Sequence, residues 1–160
     1  YVSTYDNNKK LIPATNTLKQ NLQTYLSQFR VINDSVEIKD AFVVNIGVNF
    51  DIITYPNYNS SQVLNNCISQ LVDYFNIDKW QINEPIILKD LYILLDKVEG
   101  VQTVKNIEIT NLTNVDGSYS AYSYDTKGAT VNNVVYPSID PMIFEVKYPS
   151  VDIKGRVVSL

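Results

Sequence analysis

The sequence predicts an α+β fold: a two-layer strand–helix–helix–strand core with an N-terminal helix and a C-terminal β-rich extension. Three observations predict it. From Phe42 to Ile52 apolar residues alternate with small or polar ones at a period of two, the mark of a strand with one buried face. Two stretches with apolar stripes at helical spacing follow, and a second alternating stretch closes the unit near residue 111. Two such helices bury their stripes against one face of a small sheet, which gives two layers. Beyond Leu112 the helical period disappears and turn signals replace it. The expected division is a polar leader plus docking helix over 1–39, an α+β core over 40–112 and an extended β-rich tail over 113–160.

In chain order, residues 1–13 are polar, end in Pro13 and read as a leader or linker. Thr15 or Asn16 caps a helix that runs to about Phe29. Its Leu18, Leu22, Tyr25, Leu26 and Phe29 share one face, and the helix is expected to dock by that stripe. Asn33-Asp34-Ser35 is a turn signal. In the strand from Phe42, Gly47 marks a bulge or the close approach of another backbone. Asn59 with Gln62 resembles a capping box for a helix over about Ser60–Phe75, whose stripe includes Val63, Cys67 and Leu71. Glu84-Pro85 reads as the start of the next helix, carrying Leu88, Leu91, Leu95 and Val98, with Gly100 as the residue after its C-cap. "VQTVKNIEIT" is the second strand, with Thr103, Lys105, Ile107 and Ile109 on one face. In the tail, Asn132-Asn133 suits a hairpin turn, because Asn tolerates the left-handed region. Pro137, Pro141 and Pro149 cut the rest into short extended pieces such as "MIFEVKY".

The 160 residues suffice for one compact domain, or one domain with an extension. A net charge of −4 argues against a nucleic-acid partner, since the thirteen basic residues are scattered rather than gathered into a stripe. No apolar run is long enough for a membrane span, and no secretory signal opens the chain. The single cysteine, Cys67, lies in an apolar helical pattern and reads as a buried, inert thiol. There is no histidine, so a Ser-His-Asp triad, a Cys-His dyad and a His-bearing zinc site are all excluded within this chain. Twelve tyrosines and eighteen asparagines are many for this length, and both are adaptable contact residues.

One pattern imitates a metal-dependent nuclease: Asp140 followed by Glu145-x-Lys147. Two carboxylates would hold the cation and the lysine would assist the attacking water. The spacing is poor, because residues an odd number apart on a strand point to opposite faces, and Pro141 intervenes. No catalytic residue, cofactor or metal site is therefore expected. "NLT" at 111–113 fits the glycosylation pattern without a secretory signal to support it. Arg156, beside Gly155, could clamp a carboxylate across an interface. Tyr122, Tyr124, Tyr136, Phe144 and Tyr148 give the tail many aromatics for few aliphatics, a composition found where subunits meet. These five and Arg156 are the candidate protein-interface residues. The alternative is a carbohydrate- or receptor-binding tail domain, whose exposed aromatics would stack on sugars.

Two stretches carry a family resemblance: the strand "DAFVVNIGVNFDI" and the helix-to-strand run "IILKDLYILLDKVEGVQTVKNIEI". Together they resemble the baseplate J-like proteins of contractile-tailed phages. The tail "YPSIDPMIFEVKYPSVDIKGRV" narrows this to the C-terminal portion of the T-even type of baseplate wedge subunit. The resemblance covers roughly residues 16–158. It implies a virion structural protein, not an enzyme, with no cofactor. Such a protein pairs with itself and binds other wedge proteins to build the ring around the baseplate hub. It is assembled in the host cytoplasm and ends in the tail baseplate. The chain is then expected to be the C-terminal portion of a longer protein.

Overall fold

The computed structural model describes residues 1–29 and 35–159. The fold is α+β. Its elements in order are β1 (Thr4–Tyr5), β2 (Leu11–Ile12), α1 (Asn16–Ser27), β3 (Phe42–Thr54), α2 (Ser60–Tyr74), β4 (Ile86–Ile87) and α3 (Leu88–Asp96). They continue with β5 (Val101–Asn111), β6 (Thr130–Val131), β7 (Val134–Val135), β8 (Met142–Glu145), α4 (Pro149–Asp152) and β9 (Ile153–Val157). The expected turn at Asn33-Asp34 lies outside the described residues.

β3 is the axis of the fold. On one edge it pairs antiparallel with β5, from Ile46 opposite Asn111 to Thr54 opposite Val101. On the other edge it pairs in parallel with two successive pieces of the tail. Phe42–Asn45 pair with β8, and Val48–Ile52 pair with β9. The single turn α4, begun by Pro149, bridges the two pieces. The proline-segmented tail is thus a flank of the central sheet, and its strands complete the hydrogen bonding of β3.

Val44, Ile46, Val48, Phe50 and Ile52 are buried on the face that receives α2 and α3. Cys67, Leu71, Leu91 and Leu95 are fully buried against that face, each helix stripe contributing about 1.5–3 kcal/mol per large side chain. Cys67 is buried as expected, and burial pushes its thiol up to about 11. Asn59 caps α2, its Oδ1 accepting from the N–H groups of Ser61 and Gln62 at 3.0 and 3.2 Å.

The structure corrects several local expectations. Residues 1–13 are not a free leader: β1 and β2 pair, and Leu11 is buried in the core. The third helix begins at Leu88 rather than at Glu84-Pro85, because Ile86 and Ile87 pair with Val135 and Val134. It ends at Asp96 with Lys97 as C-cap, so Gly100 lies beyond it; its φ of +93° serves the turn into β5. β5 does not hold one alternation. A register shift opposite Asp51/Ile52 puts Val104 inside with Ile107 and Ile109, leaving Thr103 and Lys105 outside that set. At Gly47 the expected close approach is present: a Cβ would meet Thr110 Oγ1 at 3.0 Å and the Asp152 carbonyl at 3.2 Å. The Asn132-Asn133 turn does close the β6–β7 hairpin, with φ of 51° and 62°.

The helix α1 departs most from expectation. It does not dock by its apolar stripe: none of its residues is buried. It is held from the side by polar contacts, Lys19 Nζ to Asp40 Oδ2 at 2.6 Å and Gln23 Nε2 to the Val36 carbonyl at 2.9 Å.

Candidate functional site

The acidic pattern in β8 leads to the most polar buried spot in the molecule. Parallel register sets Glu145 beside Asn45 of β3. Asn45 Nδ2 donates to Glu145 Oε2 at 2.7 Å, and the Leu11 N–H donates to Oε1 at 2.6 Å. Asn45 Oδ1 accepts from the Ser120 N–H at 2.7 Å. One carboxylate and one amide therefore tie together the N-terminal hairpin, two strands and the segment after β5. Burial pushes the Glu145 carboxyl up, against the opposing pull of the Leu11 N–H, the Asn45 amide and Lys147.

These groups border an open groove of about 470 Å³ that also takes in Pro13, Asp40, Phe42, Tyr122 and Lys147. Its second acid is Asp40, not Asp140. Burial alone would raise the Asp40 carboxyl; the Lys19 ammonium and the Ala14 N–H outweigh it and hold it below the ordinary value. Asp140 sits on an exposed turn. The supposed trio is thus split, and each oxygen of Glu145 already holds a protein N–H. Among the described residues no group of three or more acidic, cysteine or histidine side chains is placed to hold a metal ion.

The six candidate interface residues fall into two groups. Tyr122 stacks on Phe42 with ring centroids 4.6 Å apart, and Tyr124 meets Phe144 edge-on at 5.9 Å. Phe144 is buried. Tyr148 meets Tyr119 edge-on at 5.6 Å, and Lys10 Nζ lies 3.9 Å from its ring centroid. Tyr122, Tyr124 and Phe144 pack on this chain's own core, and Tyr148 is held by Tyr119 and Lys10 of the same chain. Tyr136 and Arg156 are exposed. Arg156 does clamp a carboxylate, within its own chain: Nε and Nη2 each donate to Asp51 at 2.9 Å. Asp51 sits opposite Arg156 in register, and the guanidinium holds its carboxyl below the ordinary value. The glycosylation-type Asn111 is engaged through both side-chain ends, donating to the Asn45 carbonyl and accepting from the Tyr124 N–H.

Three features escaped sequence reasoning. Asp152 is a buried acid that accepts from the Tyr119 hydroxyl and the Tyr148 N–H; burial and that bond push the Tyr119 phenol up to about 12. A second groove, about 480 Å³, lies beside Trp80 and is bordered by Tyr74, Glu84, Pro85 and Asp90. The indole Nε1 of Trp80 is buried with no hydrogen-bond partner among the described residues. The third is the outward direction of the α1 stripe; the stripe was visible in the spacing, but the spacing does not say which way it turns.

Compared with known protein families the chain matches no family model, and no curated protein sequence matches it. No helix among the described residues is long and apolar enough to cross a membrane.

Proposed function

We propose that the chain is a structural assembly module, a wedge component of a phage tail baseplate that associates with itself and with other wedge proteins around the baseplate hub. The observation that carries this reading is α1: a helix held by polar contacts, with Leu18, Tyr25 and Leu26 exposed along it and Phe29 exposed just past its end. Such a stripe marks a surface made to be covered by protein. The resemblance of the two core stretches and the tail to baseplate J-like proteins supplies the biological setting. The interior use of the tail is compatible with the reading, since it leaves α1, Tyr136 and Arg156 exposed for contact.

An antibody raised against the chain tests the reading. It should label the baseplate end of contractile tails in electron micrographs of the phage that encodes it. Labelling confined to fibre tips, or absent from the virion, would contradict it.

A second reading, a carbohydrate-binding tail domain, is favoured by the groove beside Trp80, where Tyr74 and Trp80 adjoin Glu84 and Asp90. It predicts that Trp80 fluorescence changes on titration with a surface glycan of the host, and that no such change occurs in Glu84→Ala.

A further inference from the structure

We infer that the outer edge of β9 is a docking site for an extended segment of a different protein, one whose residues alternate between acidic and apolar. The segment adds to the sheet as a further strand. Such a site lies beyond the assembly reading, which names neither an edge nor a partner's chemistry, and it stands whether or not the setting is a baseplate.

In a parallel pair, alternate residues of a strand turn their N–H and C=O groups toward the partner. The Val158 N–H donates to the Ile52 carbonyl at 2.9 Å, and Val157 is the residue opposite Ile52 in register. Lys154, Arg156 and Val158 therefore turn their backbone groups to β3, while Ile153, Gly155 and Val157 turn theirs the other way. The Ile153 N–H agrees with this, since it turns back to the Pro149 carbonyl. The N–H groups of Gly155 and Val157, and the carbonyls of Ile153, Gly155 and Val157, have no hydrogen-bond partner among the described residues, where β9 pairs with β3 alone. Gly155 and Val157 are half-buried rather than covered. A row of unpaired backbone groups on a sheet edge is a template for another strand.

The two faces beside this edge set the chemistry of what fits it. Lys154 and Arg156 lie on the open face of the sheet with Asn49, Asp51 and Glu108. The acids there are already engaged, Asp51 by Arg156 and Glu108 by Lys127. Lys154 is exposed and forms no ion pair among the described residues. On the other face β9 lies against α2, where Leu64 approaches Gly155. Leu64 is followed at helical spacing by the partly buried Ile68 and by Val72, which is 38% exposed. A strand laid beside β9 thus meets an unanswered cation on one face and an apolar flank on the other. Side chains alternate between faces along a strand, so one acidic–apolar segment answers both.

The same charges disfavour a second copy of this chain as the occupant. Two β9 edges joined antiparallel about Gly155 would set Lys154 opposite Arg156, and joined in parallel they would set each cation beside its like. Like charges directly opposite are destabilising, whereas opposite charges there stabilise. The edge therefore repels its own copy and attracts an acidic strand, which is discrimination by both signs.

Titration of the full chain with peptides of about seven residues tests the site, one alternating glutamate with valine and one alternating lysine with valine. Backbone amides are followed by NMR. In the free chain the Gly155 and Val157 amides should exchange quickly with solvent, and those of Lys154 and Arg156 slowly. The acidic peptide should shift the Gly155 and Val157 resonances saturably and slow their exchange. It should bind roughly fivefold or more tightly than the basic peptide. Lys154→Glu should reverse that preference with melting unchanged, and the acidic peptide with N-methylated amides should not bind. Binding of neither peptide would make Lys154 a charge that only blocks edge pairing, and would overturn the inference. Equal binding of both peptides, or acidic-peptide binding undiminished in Lys154→Glu, would also overturn it. So would slow exchange of Gly155 and Val157 in the free chain, which would show the edge already covered.

Discussion

Glu145 is held by groups far away in the chain, the N–H of Leu11 and the amide of Asn45, which pull its proton affinity down while burial, the larger effect, raises it. Its folded carboxyl has a raised proton affinity, so folding favours the protonated form. The stabilisation it supplies is full below the ordinary value of 4.5 and is lost as pH rises through the raised folded value. Thermal melts of wild type and Glu145→Gln between about pH 4 and 8 should show it. The variant should have the flatter profile, and it should be less stable by about 1–3 kcal/mol because an amide N–H₂ meets a donor where an oxygen accepted one. A parallel loss of stability in both proteins as pH rises would count against this. At this scale the sequence was only partly legible. Strand parity separated Asp140 from Glu145, but the partners of Glu145 lie 134 and 100 residues away, beyond any local pattern. Arg156 was noticed for its isolation, and only the β3–β9 register shows that Asp51 answers it.

Between elements, β9 sits close beneath α2. A Cβ on Gly155 would meet Leu64 Cδ1 at 2.6 Å and collide with the Phe50 ring, so this glycine is required by close approach. Gly155→Ala should cost about 1–3 kcal/mol, read as a lowered Tm; a neutral result would mean that β9 does not lie there. The helices should also differ sharply. Leu71→Ala in α2 removes a fully buried side chain and should cost about 2–5 kcal/mol. Leu22→Ala in α1, measured in dilute solution, should change stability by less than about 1 kcal/mol. Equal losses at the two positions would show that α1 is part of the core. Period was a good guide to which elements exist, as β3, α2 and the Asn132-Asn133 hairpin show. Boundaries moved where a tertiary pairing intervened: Ile86 and Ile87 are held by Val135 and Val134 in place of starting a helix. The stripe on α1 shows the limit of periodicity, which reveals an apolar face but not what covers it.

For the whole molecule, the account has two parts. The tail is internal to the fold, with β8 and β9 sharing one edge of β3, and α1 is external, with none of its residues buried. Neither part was legible from composition: the tail's aromatics look alike whether they cover their own core or a neighbour's, and only long-range register distinguishes the two. If the tail were exchanged between copies, its strands would be protected only in the dimer. Hydrogen exchange followed by mass spectrometry at low and high protein concentration tests both parts at once. The account predicts that the amides by which β8 and β9 bond to β3 exchange as slowly as β3 at every concentration, while protection of α1 rises with concentration. Tail strands whose protection depends on concentration, with α1 indifferent to it, would contradict the account.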